Sequence, residues 1–118
     1  MAYVDGYLLT VKTAKKETYR EMATVAMEIF KENGALQVCE TWGDDVPQGK
    51  VTSFPMAVKL EADETVVFSW VVWPSKEVRV IGMKKFMEDP RLHKWDVNNM
   101  PFDGQRMMFG GFETLVQG

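Results

Sequence analysis

The sequence feature that most constrains the fold is an almost uninterrupted apolar run, TVVFSWVVWP, over residues 65–74. Branched and aromatic residues dominate this run, and it has no polar face, which predicts a strand buried on both sides. Such a strand belongs to a sheet that lies between two layers. The rest of the chain supplies only two substantial helices, enough to cover one face of a small sheet. We therefore expect a second copy of the chain to cover the other face, as a homodimer.

Composition and charge restrict the class of protein. The 118 residues are 46% hydrophobic and 26% charged, a balance that suits one soluble domain spanning residues 1–118. The formal net charge is −3, and Lys and Arg are interspersed among acids, so we expect no nucleic-acid partner. The apolar run is about half the roughly 20 residues that a membrane helix needs, and no membrane span is predicted.

Cysteine usage indicates the compartment. Cys39 is the single cysteine, so an internal disulfide is excluded, and the N-terminus lacks the basic and apolar regions of a signal peptide. A cytoplasmic location is predicted, because thiols stay reduced there. A free cysteine within a strand is typical of a small buried hydrophobe, and we expect Cys39 to be inert.

Periodicity in the first half of the chain predicts a strand, a helix and a second strand. The first strand covers residues 3–11, and Thr13 is predicted to cap a helix that ends at Asn33-Gly34. The second strand reaches Trp42 and runs into a turn-rich loop over residues 43–49. Residues 50–62 predict a short or irregular strand, because Pro55 interrupts the ladder.

Capping and breaking residues divide the second half. Ser75 is predicted to cap a helix that directs four residues toward the core, and this helix ends before a short turn begun by Asp89-Pro90. The four residues are Val78, Ile81, Gly82 and Phe86. A loop over residues 98–104 precedes the last strand, which is predicted over residues 106–116.

The order of these elements is strand, helix, strand, strand, helix, strand. This is the ferredoxin-like βαββαβ pattern, an antiparallel sheet with two helices on one face and the first and third strands in the centre. The last strand is apolar on both faces, as is the strand at 65–74. We therefore predict an α+β domain in which two such sheets close into a dimeric α+β barrel.

Short motifs along nearly the whole chain share the pattern of one family. They are YVDG at 3–6, YREM at 19–22, Trp42 with DVP at 45–47 and GKVT at 49–52, PSK at 74–76, MPFDG at 100–104 and GGFE at 110–113. Together they resemble the YbaA-like family of uncharacterised bacterial proteins. The resemblance implies the dimeric α+β barrel fold that small monooxygenases share, and it implies no established activity.

Three acids fall inside predicted strands: Asp5, Glu40 and Glu113. A carboxylate that faces a closed cavity can have a raised pKa and act as a general base. Alternatively, each acid lies at a strand end, pairs with Lys or Arg, or faces solvent. Glu40 is the most interesting, because it shares a side with Val38 and Trp42 if the strand is regular.

The remaining candidate site residues are also open to two interpretations. Asp44 and Asp45 beside Trp42 either bind a cation or an amine-bearing ligand, or satisfy nearby backbone amides. His93 is the only histidine, so it is either an acid, a base or an axial haem ligand, or an exposed loop residue. Trp70 either lines an apolar ligand cavity or packs in the core and dimer interface. No metal site and no cofactor are predicted.

These observations leave different classes of function open. The first is a small-molecule enzyme of the cofactor-independent oxygenase or isomerase type, suggested by analogy with the barrel fold. The alternative is a non-catalytic homodimeric binding or stress-related module that presents the loops at 43–50 and 96–105 to a ligand or partner. Haem degradation is the least favoured, because the Asn, Trp and His set of barrel relatives has no match here.

Overall fold

The computed structural model describes residues 1–96 and 99–118. It contains four strands, β1 (Tyr3–Lys12), β2 (Gln37–Trp42), β3 (Glu64–Trp73) and β4 (Met108–Glu113), and three α-helices, α1 (Lys16–Glu32), α2 (Phe54–Ala57) and α3 (Lys76–Glu88). The strands form one antiparallel sheet in the order β2-β3-β1-β4. The predicted α+β, ferredoxin-like architecture is confirmed, with β1 and β3 in the centre.

Strand alternation divides the sheet into two faces with different cover. We call the side that packs against α1 and α3 the helix face, and the opposite side the open face. The helix face carries Tyr3, Asp5, Tyr7, Leu9, Val11, Val38, Glu40, Trp42, Val67, Ser69, Val71 and Trp73. The open face carries Val4, Leu8, Cys39, Phe68, Trp70, Val72, Met108 and Phe112.

The core between the sheet and the helices is held by aromatic contacts. Phe30 of α1 stacks on Phe86 of α3, with ring centroids 3.9 Å apart, and meets the edge of the Trp73 ring at 5.9 Å. Trp73 is fully buried. Since buried aromatic rings contribute large apolar areas, this trio joins both helices to the central strand β3.

Helix α3 begins and ends where the sequence predicts. The hydroxyl of Ser75 accepts a hydrogen bond from the Val78 amide, and the helix stops at Glu88 before a 3₁₀ turn that Asp89 caps. Gly82 faces the Trp73 ring so closely that a Cβ atom there would lie 2.4 Å from a ring carbon. Ile81 is 60% exposed, so its predicted core position is wrong. The core positions of α3 are Val78, Gly82, Met83 and Phe86.

The start of α1 differs from the prediction. Thr13 begins a 3₁₀ turn, Thr13–Lys15, and α1 follows without a side-chain cap. The Thr13 hydroxyl instead hydrogen-bonds the Thr65 hydroxyl, 2.7 Å away on β3, so a contact across the fold replaces the local cap. The end of α1 is as predicted, because Gly34 adopts a φ of 106°, which glycine reaches without steric cost.

Residues 50–62 contain the short helix α2 (Phe54–Ala57) between irregular segments, not the predicted strand. Ser53 caps α2 by accepting the Met56 amide, and Pro55 lies in the first turn. Proline lacks the N–H that a ladder needs, whereas the first turn of a helix leaves that group unused. Phe54 meets the edge of the Phe68 ring with centroids 5.9 Å apart, so α2 covers one end of the open face.

The last strand is shorter than the predicted range of 106–116. A 3₁₀ turn over Gly104–Arg106 precedes β4, and β4 ends at Glu113 opposite Tyr3, the first residue of β1. Just past β4, the Thr114 amide and hydroxyl still donate to the Ala2 carbonyl. The next residue, Leu115, is 92% exposed. Within the predicted loop at 98–104, residue 98 lies outside the described residues, as does residue 97.

Candidate functional site

The three strand acids occupy different environments. Asp5 is 2% exposed on the helix face. It accepts a hydrogen bond from the Trp73 indole nitrogen at 2.9 Å and several from the Arg79 guanidinium, the shortest between Nη2 and Oδ1 at 2.7 Å. The hydrogen bond to Asp5 raises the pKa of Arg79. Asp5 is therefore a sealed, charge-paired group, and Glu113 is exposed at the end of β4.

Glu40 lies on the helix face of β2, directly opposite Ser69 of β3. The Tyr19 hydroxyl donates a hydrogen bond to its Oε1 atom at 2.5 Å, and the Ser69 hydroxyl also donates to the carboxylate. Both partners are neutral. Among residues 1–96 and 99–118, no Lys or Arg forms an ion pair with Glu40.

This environment shifts the acid strength of the pair. Burial raises the pKa of Glu40, and the hydrogen bonds from Tyr19 and Ser69 oppose that shift without cancelling it. Burial and the nearby Glu40 carboxylate also raise the pKa of Tyr19. Protein atoms crowd the carboxylate, yet Glu40 stays accessible to solvent because a cleft opens above it. A carboxylate that has a raised pKa and that a ligand can reach has the properties of a general base.

The cleft above Glu40 lies between α1 and β2 and encloses about 230 Å³. Its walls are largely apolar, and two exposed basic residues, Lys16 and Arg20, stand at its rim. The Lys16 ammonium lies over the Trp42 ring, 5.1 Å from the centroid. The lining residues are Lys16, Tyr19, Arg20, Ala23, Thr24, Met27, Val38, Glu40, Thr41 and Trp42.

A second cleft of about 310 Å³ lies on the open face. Asp44 and Asp45, both exposed, line it together with Phe54 and Phe68. Within the part of the chain that the structure describes, no group of three His, Cys, Asp or Glu side chains could hold a metal ion. The two acids therefore share a cleft with aromatic rings and have no third ligand there.

The other predicted site residues lie outside both clefts. Trp70 is half-buried on the open face, where its ring contacts Phe68 with centroids 5.5 Å apart. His93 is exposed in the 3₁₀ turn Pro90–Lys94. Of the residues proposed from sequence, Glu40 and Trp42 share the first cleft, and Trp42, Asp44 and Asp45 share the second.

Sequence reasoning missed Tyr19, Ser69 and Lys16. Tyr19 belongs to the apolar stripe of α1, and Ser69 lies within the most apolar strand, so each is readily interpreted as core. A signal was nevertheless present, because a phenol or hydroxyl inside an apolar face needs a hydrogen-bond partner.

Among the described residues, no helix is long and apolar enough to cross a membrane.

Comparison with known proteins agrees with the sequence motifs. A family model described as "Protein of unknown function (DUF1428)" matches residues 2–104. The protein "Uncharacterized protein YbaA" of Escherichia coli strain K12 is 54% identical over 116 residues, 98% of this chain and 98% of that protein. The YbaA protein of Shigella flexneri matches with the same identity and coverage.

A solved structure shares the fold at low sequence identity. A mutant of SnoaB, described as a cofactor-independent oxygenase from Streptomyces nogalater, superposes with a TM-score of 0.56 and 11% identity, over 98% of this chain and 95% of that chain. At that identity the likeness concerns the fold alone. The match over residues 2–104 and the identity to YbaA show that the chain belongs to the DUF1428 family, with the YbaA proteins as members of the same group.

Proposed function

We propose that this protein is a small-molecule enzyme that works by proton transfer, with Glu40 as general base in the cleft between α1 and β2. The observation that carries the proposal is the environment of Glu40. Burial raises its pKa, its partners are the neutral hydroxyls of Tyr19 and Ser69, and a cleft gives a ligand access to it. A raised pKa makes a carboxylate a stronger base, and access from a cleft lets it reach a substrate proton.

This chemistry is common to the two reaction classes that the fold suggests. An isomerase moves a proton from one carbon to another through a single base. An oxygenase without a cofactor first forms a carbanion, whose electron pair forms a carbon–oxygen bond to O₂. The peroxide that results takes up the abstracted proton and becomes a hydroperoxide. In both cases Glu40 takes the proton, while the Tyr19 and Ser69 hydroxyls hold the carboxylate in one orientation.

The test is hydrogen–deuterium exchange at carbon, followed by NMR. The protein is incubated in D₂O with a panel of ketones, 1,3-dicarbonyl compounds and phenols. We expect catalysed exchange of at least one compound, and Glu40→Gln should reduce the rate about 100-fold or more. Glu113→Gln is the matched control, because it removes the same charge from an exposed strand acid. Exchange that survives Glu40→Gln, or none across the panel, contradicts the proposal.

We further propose that the chain forms a homodimer through the open face. Phe68, Met108 and Phe112 are 44%, 47% and 63% exposed there, and a contiguous apolar patch of this kind marks an interaction surface. Native mass spectrometry should show a dimer that Phe112→Lys converts to monomer. Phe109→Lys changes the neighbouring exposed residue on the other face of β4 and should leave the dimer intact. A monomeric wild-type chain overturns the proposal.

The alternative function is a non-catalytic homodimeric binding module. The second cleft favours it, since about 310 Å³ on the open face is bordered by aromatic rings and by Asp44 and Asp45. A metabolite that changes tryptophan fluorescence, without exchange or conversion, would support this alternative. A cytoplasmic location stays a prediction, based on the single reduced cysteine.

A further inference from the structure

The cleft between α1 and β2 carries opposite charges on its two walls. On the β2 wall lies the solvent-accessible Glu40 carboxylate, which accepts a hydrogen bond from Tyr19. On the α1 side stand Lys16 and Arg20, both exposed at the rim. When Glu40 is ionised, the β2 wall repels anions and attracts proton donors, whereas the α1 rim attracts anions. A ligand that enters this cleft is therefore oriented by charge.

Lys16 and Arg20 are not equally available to a ligand. The Arg20 guanidinium is paired with Glu17, with Nε 3.0 Å from Oε2. Lys16 lies over the Trp42 ring, and within residues 1–96 and 99–118 no carboxylate oxygen lies within 4.0 Å of its ammonium. The ring holds the ammonium near the rim, so that less side-chain freedom is lost when an anion binds.

The size and walls of the cleft define the rest of the ligand. A volume of about 230 Å³ exceeds the roughly 150 Å³ of an apolar cavity that binds benzene, so one ring with a few substituents fits. Ala23, Met27 and Val38 give apolar walls, and Trp42 gives an aromatic one. Flat, conjugated ligands bury the most apolar surface in such a space.

We propose that the cleft binds an aromatic or conjugated carboxylate whose anionic group pairs with Lys16 and whose proton-donating end faces Glu40. This inference rests on the proposed function of the same cleft and adds the substrate class and the specificity residue. The reversed orientation would place the ligand carboxylate beside the Glu40 carboxylate, which is unfavourable. Neutral analogues of the same shape keep the apolar contacts and lose the contact with Lys16.

The test compares 4-hydroxybenzoate with 4-hydroxybenzamide, which have nearly the same shape and differ in charge. Dissociation constants are measured by tryptophan fluorescence and checked by ligand-observed NMR at low salt. We expect the anion to bind about three- to fivefold more tightly than the amide, a difference typical of a partly exposed ion pair. Added salt should reduce the difference between the two dissociation constants, because it screens the charge of Lys16.

Lys16→Gln should bring the ratio of the two affinities close to one. Lys76→Gln is the matched control, because Lys76 is also an exposed first residue of an α-helix and lines neither cleft. The proposal is overturned if the two ligands bind equally, if neither binds, or if the preference survives Lys16→Gln. If the preference for the anion depends on Lys16 but no hydrogen–deuterium exchange is catalysed, the proton-transfer function is wrong. The proposed ligand class is then still supported.

Discussion

Asp5 and Glu40 are two acids on the same face of one sheet, yet their surroundings differ. Asp5 is 2% exposed and bound by the Arg79 guanidinium and the Trp73 indole. Glu40 is bound by hydroxyls and opens into a cleft. The contrast teaches that a sealed carboxylate with a cationic partner stabilises the fold, whereas one with neutral donors and solvent access is available for proton transfer.

The seal around Asp5 depends on the packing of α3. Trp73 can donate to Asp5 because its ring fits against Gly82, where any side chain would collide with it. Arg79 reaches the carboxylate from the same helix, and its guanidinium also lies over the Tyr3 ring, 5.6 Å from the centroid. Over Glu40, by contrast, α1 presents a phenol and leaves an opening.

The largest effect is expected from Asp5→Asn, which should lower the free energy of unfolding by about 2–4 kcal/mol, because the largely buried Arg79 loses its charged partner. Chemical denaturation measures the change. Asp63→Asn is the control, since it breaks an exposed pair with Lys12 and should cost less than about 1 kcal/mol.

The double variant Asp5→Asn/Arg79→Met sharpens this result. Removing the stranded guanidinium should recover part of the loss seen in Asp5→Asn, because the cost of an unpaired charge disappears. A loss in Asp5→Asn no greater than that in Asp63→Asn would show that Asp5 does not hold the fold, and the contrast with Glu40 would fail.

Glu40→Gln should have a smaller effect on stability, with a distinct pH dependence. The pKa of Glu40 in the folded protein lies above its ordinary value of 4.5, so the folded state binds the proton more tightly than the unfolded state. The contribution of Glu40 is therefore most favourable below pH 4.5 and is lost as the pH rises through the folded pKa.

Unfolding free energies of the wild type and Glu40→Gln, measured from pH 4 to 8, test this sign. We expect the wild type to lose stability relative to Glu40→Gln as the pH rises. Glu64 provides the opposite control, because Arg106 lowers its pKa, and the stability that Glu64 contributes is lost as the pH falls. Parallel curves for the wild type and Glu40→Gln would contradict the raised pKa.

The smallest effect concerns the hydrogen bond from Tyr19. Tyr19→Phe should raise the pKa of Glu40 further, because the charged carboxylate loses a donor. A ¹³C NMR titration of labelled glutamate carboxyls measures this pKa. Tyr3→Phe removes a phenol near Arg79 instead and should leave the Glu40 titration unchanged. A lower Glu40 pKa in Tyr19→Phe would mean that the phenol does not act as a donor.

Much of the fold could be predicted from local patterns. The apolar run at 65–74 identified β3 and its central position. Ser75 caps α3 and Asp89 caps the 3₁₀ turn that follows, as predicted. The alternation of β2 also placed Glu40 beside Val38 and Trp42 on one face. These predictions succeeded because strand alternation and capping involve residues only a few positions apart.

The failures arose where nonlocal contacts or competing local signals decided the outcome. Thr13 bonds to Thr65 rather than to its own helix. The 3₁₀ turn that delays the start of β4 contains Arg106, whose side chain binds Glu64 on β3. Around Pro55, an apolar segment could be a strand or a helix, and the Ser53 cap favoured the helix. Short segments of this kind have no periodicity long enough to separate the two.

By itself, the sequence determined the approximate positions of the four strands and the two long helices, the family, and the face that Glu40 shares with Val38 and Trp42, since these depend on local periodicity and shared motifs. Only the tertiary structure decided that Asp5 is sealed and Glu40 is accessible. Asp5 meets Arg79 from 74 positions away, and Glu40 meets Tyr19 from 21 positions away. Burial and hydrogen bonding control the pKa of a carboxyl group, and both are set by residues that only folding brings together.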